Sequence, residues 1–405
     1  MKRLYARHRL DIRPRHLFRA AALMTRTDAT CAAGDVQRTW SPDGSALACY
    51  SVRSGFHLLL TAIDLPPGSE VMFSAVTHPD MPRIALHHGL VPVPLDLDPG
   101  TLSPRPEMVE RAITARTRVL VVAHLFGGHV HLAPLAAICR RHGILLVEDC
   151  AQSFAGPPDT GDALAVVSMF SFGILKTGTA LGGAMLTVRD PLLLARMRTV
   201  QGGWPLQSRR SHLKRIAQTM AFVALTRPRP YAFVARTLGA NFDGFVNSAA
   251  RAFPAGSTDQ LVRRVQRRPG APLLALLRHR LETFDHARLL ARSAIGEQLA
   301  ATMPEGAHAG GFGLDHSHWL FPVVCDDPAA LIAAARAAGF DAARSASSVN
   351  AVAAPPGRQE LEPGCARHVM SRLVFLPAYP ELPAGALENL RAAVEGHHAH
   401  AYIAR

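Results

Sequence analysis

The feature that most constrains this chain is the alternation of helical patterns with short apolar runs between Ser51 and Asp149. Phe56 to Ile63 reads as a helix, Pro66-Pro67-Gly68 as a break, and Glu70 to Ala75 as a short strand. Met81 to His88 is helical again, Val91 to Leu95 leads to Asp96, and Met108 to Ala115 is helical. Arg118 to His124 is almost purely aliphatic, the pattern of a parallel strand buried on both faces. Leu132 to His142 is a helix ending at Gly143, a suitable C-cap. Ile144 to Val147 is the next strand and sets Glu148 and Asp149 at its carboxyl edge. Strands alternating with helices build βαβ units and a mostly parallel sheet. Such sheets bind ligands beyond the carboxyl ends of their strands, where Asp149 falls.

A second apolar run, Phe170-Ser171-Phe172-Gly173-Ile174-Leu175, ends in Lys176, followed by Thr177, Gly178 and the Gly182-Gly183 pair. A lysine among apolar and small residues is where an amine is desolvated, loses its proton and forms a Schiff base. An aspartate facing it across a cofactor ring is what pyridoxal 5′-phosphate needs to keep its pyridine nitrogen protonated. Asp149 and Lys176 are thus read as a pair.

The remaining chain is divided by changes of pattern. Residues 1–45 are basic and irregular and are expected to form an arm. Residues 46–300 carry the large unit, interrupted over about 203–270 by an Arg-rich, apolar insertion with breakers such as Arg227-Pro228-Arg229-Pro230. Leu273 to Leu299 resumes one long helical pattern. After Pro304 a smaller C-terminal α/β unit, 301–405, is expected: Trp319 to Val324 a strand, Ala329 to Ala338 a helix, Arg372 to Leu376 a strand, Ala386 to Val394 a helix. A length of 405 residues suits one large and one small unit.

With 48% hydrophobic and 19% charged residues the chain reads as globular rather than disordered. Its net charge of +13 favours an anionic partner such as a phosphorylated ligand, and no recognition-helix or zinc-finger pattern points to nucleic acid. Cys31, Cys49, Cys139, Cys150, Cys325 and Cys365 are scattered, which implies neither a disulfide framework nor a zinc site and suits the cytoplasm. His397, His398 and His400 lack acidic or cysteine partners at ligand spacing, so the tail is read as solvated and no metal is expected. No signal-peptide h-region follows the basic N-terminus, and Ile216 to Thr226, the longest mostly apolar stretch, is too short to span a bilayer.

Four blocks follow one another in order, His124-Leu125-Phe126-Gly127-Gly128, Arg141-His142-Gly143-Ile144, Val147-Glu148-Asp149-Cys150-Ala151-Gln152 and Phe170 to Gly183. With them the sequence from Ser51 to Glu395, outside 203–265, resembles the DegT/StrS-type aminotransferases, pyridoxal phosphate enzymes that mostly aminate nucleotide-linked keto-sugars. His124-Leu125-Phe126-Gly127-Gly128 is similar to the family's H-L-Y-G strand end, and Arg141-His142-Gly143-Ile144 to its R-H-G block. Val147-Glu148-Asp149-Cys150-Ala151-Gln152 is similar to E-D-A-A-Q, and Phe170 to Gly183 to F-S-F-x-x-x-K-x-x-x-x-x-G-G. The resemblance implies a fold-type I transferase: a large domain with a mostly parallel seven-stranded sheet, a smaller C-terminal α/β domain, and a homodimer with sites at the interface. It implies Lys176 as the Schiff-base lysine and proton carrier, Asp149 as the pyridinium partner, Gln152 on O3′ of the cofactor, and Ser171 on its phosphate. Ser51-Val52-Arg53-Ser54 aligns with the family's phosphate loop, with Arg53 and Ser54 as donors and Val52 where glycine is usual. His78 falls where the family stacks an aromatic ring on the pyridine.

The family's G-Y-N-Y-R segment, whose Asn reaches the partner subunit's cofactor phosphate, corresponds here to Arg264-Val265-Gln266-Arg267-Arg268-Pro269. Gln266 or Arg267 is the substitute, or the stretch is a solvated basic helix end. The implied function is transfer of an amino group, from glutamate in most relatives, to a keto-sugar, with a cyclitol ketone as another acceptor. The alternatives are a catalytically idle cofactor-binding regulator and a family dehydratase, a branch in which histidine replaces the lysine. The basic, apolar insertion also allows contact with a membrane surface.

Overall fold

A seven-stranded sheet runs through the middle of this computed structural model, which describes residues 3–250, 256–304, 306–311, 315–344, 348–395 and 397. Its strands are β1 (Ala46–Cys49), β2 (Glu70–Ser74), β4 (Val91–Leu95), β5 (Thr117–Ala123), β6 (Leu145–Asp149), β7 (Val167–Ser171) and β8 (Ala184–Val188). A two-residue strand β3 (Val76–Thr77) lies outside it and pairs with β10 (Asn350–Ala351). The order is β1-β8-β7-β6-β5-β2-β4: parallel from β4 to β7, antiparallel at β8 and β1. His398 and His400 lie outside the described residues.

Both faces of the sheet are covered, which is why β5 is aliphatic from Val119 to Ala123. Val119 and Val121 pack on one side with Phe56 and Leu59 of α3 (Val52–Ile63), alongside α4 (Asp80–His87) and α7 (Pro191–Gly202). Leu120 and Val122 pack on the other side under α5 (Pro106–Ala112) and α6 (Ala133–His142). Each such buried valine or leucine contributes about 1.5–3 kcal/mol of apolar transfer energy.

The first 45 residues differ from the irregular arm expected. They form α1 (Pro14–Ala22) and α2 (Ala29–Trp40), whose Leu17, Ala20, Val36 and Trp40 sit in one cluster with Phe170, Met185 and Leu274. Helical spacing of these few apolar residues, hidden among arginines, is enough once the sheet offers a surface to bury them. Trp40 Nε1 also donates to Thr187 Oγ1 at 3.0 Å.

The insertion folds as α8 (Arg209–Leu225), α9 (Pro228–Leu238), α10 (Phe242–Ala250) and α11 (Thr258–Val265). The long pattern expected over 273–299 is two helices, α12 (Ala271–Glu282) and α13 (His286–Thr302). Asp285 divides them: its carboxylate accepts from Arg288 N at 3.0 Å and caps the second helix. Beyond it, β9 (Phe321–Val324) pairs antiparallel with β11 (Leu373–Leu376). Around that pair lie α14 (Pro328–Ala337), α15 (Gly364–Arg372) and α16 (Ala386–Glu395).

Candidate active site

Parallel pairing brings Ala123 level with Asp149, and Asp149 level with Met169, so β5, β6 and β7 end along one edge. Beyond that edge lies a cavity of about 540 Å³. Lys176, Asp149, Gln152, Ser171, Arg53 and His78 all line it, and Ser54 does not.

Alternation along β6 separates two neighbouring acids. Glu148 points away from the cavity, where Oε1 lies 2.7 Å from His124 Nε2 and Oε2 accepts from Asp162 N at 2.9 Å. His124 Nδ1 accepts from Val130 N at 2.8 Å, which fixes Nε2 as the protonated nitrogen. Burial opposes the charge on Glu148, but the hydrogen bonds from His124, Ser168 and Asp162 outweigh it and hold the carboxyl down at about 2. Asp149 points into the cavity, is 7% exposed, and accepts from Ala151 N at 3.0 Å. Burial raises its pKa, against that hydrogen bond and the attraction of Lys176.

Lys176 follows β7 in a tight loop, Lys176 N donating to Gly173 O at 2.9 Å and Thr179 N to Lys176 O at 3.2 Å. Three distant groups hold this loop. Gly178 N, at a residue with φ +64°, donates to Asp11 Oδ2 at 2.6 Å. Arg292 Nη1 donates to Thr177 Oγ1 at 3.0 Å, and Trp319 Nε1 to Leu175 O at 2.8 Å. The Trp319 ring lies against the amine, with Nζ 3.9 Å from its centroid. Burial pushes the amine down from 10.5 to about 7; Asp149 opposes this and Arg53 reinforces it. A substantial fraction is therefore the neutral nucleophile at physiological pH.

Gln152 Oε1 accepts from Phe126 N at 3.0 Å, and Phe126 takes up φ +57° to present that N–H. The remaining polar group of the amide is an NH₂ donor, the right type for a phenolate oxygen. His78 Nδ1 accepts from Asp80 N at 3.1 Å. Burial, with Arg53 adding to it and Asp80 opposing, lowers its pKa to about 4, so the ring is neutral.

The phosphate loop takes a simple form. Ser51 caps α3, its Oγ accepting from Ser54 N at 3.1 Å, and Val52 is the first helical residue, with no positive φ to demand glycine. Arg53 Nη1 donates to Asp80 Oδ2 at 2.8 Å. The Ser54 hydroxyl faces the interior instead and donates to Val265 O, tying α3 to the end of α11. Gln266 and Arg267 do not line this chain's cavity, whereas Arg264 and Asn247 do.

Two lining residues escape sequence reasoning. Trp319 is one; its position before a strand gives no hint of contact with Lys176. The other is Arg215 of α8, whose Nη1 donates to Leu181 O at 3.0 Å and whose guanidinium carbon is 5.8 Å from the Tyr50 ring centroid. Gly182, at φ +152°, permits this approach, since a Cβ there would sit 2.6 Å from Arg215 Nη1. Arg215 lies within a segment without motif, so only the fold brings it beside the N-terminus of α3.

Known proteins resemble this chain in part of its sequence and in fold. Residues 38–215 match the DegT/DnrJ/EryC1/StrS aminotransferase family. GDP-perosamine synthase of Caulobacter vibrioides is 32% identical over 163 residues, 39% of this chain and 43% of that protein. L-glutamine:2-deoxy-scyllo-inosose aminotransferase of Streptomyces kanamyceticus is 36% identical over 157 residues, 37% of this chain and 36% of that one. The chain thus spans less than half the length of these curated relatives. The crystal structure of an aminotransferase, TlmJ from Streptoalloteichus hindustanus, superposes with a TM-score of 0.67 at 17% identity, over 98% of this chain and all of that one (100%). At that identity the likeness is one of fold, and it extends well beyond residues 38–215.

Proposed function

We propose that this chain is a pyridoxal-phosphate-dependent aminotransferase that moves an amino group from an amino acid, glutamate by preference, to a nucleotide-linked keto-sugar. The observation that carries the reading is Lys176: an amine held near neutrality in the same cavity as the buried carboxyl of Asp149. The residues present suit the cofactor. The N-terminus of the twelve-residue helix α3, with Arg53 and Arg215 beside it, suits a phosphate. Gly182 and Gly183 line the cavity, and the missing side chain at Gly182 lets Arg215 approach it. Such a cofactor, when bound, supplies a carbonyl for amine exchange and an electron-poor ring that stabilises a carbanion.

The chain's own groups then have distinct tasks. Lys176 takes a proton from the substrate's Cα and returns one, and its depressed pKa suits both directions near neutral pH. Asp149 is a buried acid whose charge is favoured by a cation at the ring nitrogen, which keeps that nitrogen protonated. Gln152 donates to the ring oxygen, His78 offers a neutral face for stacking, and Ser171 with Arg53 and Arg215 holds the phosphate. Arg83 and Arg264 also line the cavity, which favours an acceptor with phosphate groups of its own.

The organisation we propose is a cofactor-holding unit over 46–300 and a C-terminal unit over 301–405 that lends Trp319. A cytoplasmic homodimer is the proposed form. The test is spectroscopic. Protein loaded with pyridoxal phosphate absorbs visible light, and L-glutamate converts that absorption to the near-ultraviolet amine form. Before any amino donor is added, borohydride fixes the cofactor on the wild type and not on Lys176→Ala. Cofactor binding that no amino donor alters would leave the idle binding protein as the better reading.

A further inference from the structure

The helices of the insertion carry a face that the aminotransferase reading does not use. Along α8 the inner side is His212, Ile216 and Thr219, all buried. Its outer side is apolar as well, with Leu213 52% and Met220 44% exposed and Ala217, Ala221 and Ala224 exposed between and after them. Phe233 of α9 is 52% exposed and Phe18 of α1 is 67% exposed, and both helices pack directly on α8. A globular surface helix carries polar residues on its outer side, so three adjoining helices with exposed Phe, Leu and Met mark a contact surface.

The charge on the same helices has one sign. Residues 209–238 contain seven Arg or Lys and no Asp or Glu, which is over half of the chain's net +13. Arg209, Arg210, Lys214, Arg227, Arg229 and Arg236 are exposed, as are Arg15 and Arg19 of α1, a helix that also lacks acids. We propose that the face formed by α1, α8 and α9 docks on an anionic lipid bilayer, its cations meeting phosphate headgroups and its Phe, Leu and Met side chains entering the interface. No helix among the described residues is long and apolar enough to cross a membrane, so the attachment is peripheral.

Charge decides between occupants. A twofold contact through this face would set arginines against the same arginines of the second copy, where like charges repel. A nucleic acid would satisfy the cations and leave Leu213, Met220, Phe233 and Phe18 without a role. Only an anionic surface with an apolar layer beneath it answers both halves of the pattern. Lys214 and Arg215 are consecutive on α8, one exposed and the other lining the cavity, so docking brings the cavity mouth close to the bilayer.

The proposal does not depend on the chemistry at Lys176, and its test does not read activity. Full-length protein loaded with pyridoxal phosphate is sedimented with vesicles of phosphatidylcholine alone or with about 30% phosphatidylglycerol. The expected result is binding about tenfold or more stronger to the anionic vesicles, weakening as salt rises. Arg210→Glu with Lys214→Glu abolishes that preference. Met220→Ser with Phe233→Ser leaves the salt-dependent encounter and loses the part that survives high salt. Unchanged secondary structure and melting temperature in both variants exclude misfolding. Equal binding to neutral and anionic vesicles, or none, overturns the proposal. So does a dimer that the Met220→Ser, Phe233→Ser variant dissociates, or duplex DNA retained at physiological salt without vesicle binding.

Discussion

Lys176 Nζ lies 3.9 Å from the centroid of the Trp319 ring, while Trp319 Nε1 donates to the carbonyl of Leu175, the residue before that lysine. One side chain thus positions the lysine's backbone and covers its amine. A ring face alone would favour the ammonium. Burial outweighs it, and the amine titrates at about 7.

This fixes the sign of two pH effects. Asp149 favours the ammonium, so Asp149→Asn lowers the midpoint of Lys176 below about 7, read from the pH dependence of covalent cofactor attachment. A lysine whose folded pKa is below its unfolded 10.5 costs stability where the ammonium would otherwise form. Lys176→Met therefore raises the stability of the cofactor-free protein by several kcal/mol, up to about 5, below pH 7. The gap closes as pH rises toward 10.5, checked by urea unfolding across that range.

Arg215→Ala weakens pyridoxamine phosphate binding by about 10–100-fold, the value of a charge-assisted hydrogen bond of about 1.5–3 kcal/mol. Binding of pyridoxamine, which lacks the phosphate, is unchanged. Equal losses for both ligands, measured by fluorescence titration, would remove Arg215 from the phosphate end.

Gly182→Ala reproduces the Arg215→Ala binding defect without touching any charge, because the new Cβ displaces Nη1 from 2.6 Å. It also lowers stability by about 1–3 kcal/mol through the φ of +152° that only glycine adopts readily.

Glu148 contributes stability that is present above its unfolded pKa of about 4.5 and lost as pH falls toward about 2. Glu148→Gln removes this dependence, so the wild-type and variant urea midpoints converge at acid pH. A constant difference between pH 7 and pH 2.5 would contradict the His124 and Asp162 contacts as its source.

Trp40→Ala destabilises the fold by about 3–5 kcal/mol by emptying the space against Phe170 and Phe172. Denaturant unfolding followed by circular dichroism measures it. A loss under about 1 kcal/mol would make α2 a dispensable arm after all.

Sequence made the centre of the molecule readable because chemistry and periodicity coincide there. Asp149, Gln152 and Lys176 sit at strand ends whose buried runs announce themselves, and the sheet brings them together. The chain's three lysines are Lys2, Lys176 and Lys214, so an amine retained among so many arginines is itself informative. What stayed hidden depends on contacts between distant segments. Ser54 matches a phosphate-loop position, yet its hydroxyl is taken by Val265, and nothing local distinguishes the two uses. Arg215 and Trp319 reach the cavity only through helix packing and β9. The helices of the first 45 residues need the sheet before their few apolar residues count.

The loop that carries Lys176 is held by Asp11, Arg292 and Trp319, one residue from each of three far-apart stretches of chain. On the ribosome the lysine therefore emerges long before its setting exists. The N-terminal anchor waits through most of synthesis, and the last one, Trp319, is added only after nearly four-fifths of these 405 residues have been made. A nascent chain stalled before Trp319 would display Lys176 as an ordinary solvated amine, which delays cofactor capture until the whole architecture is in place.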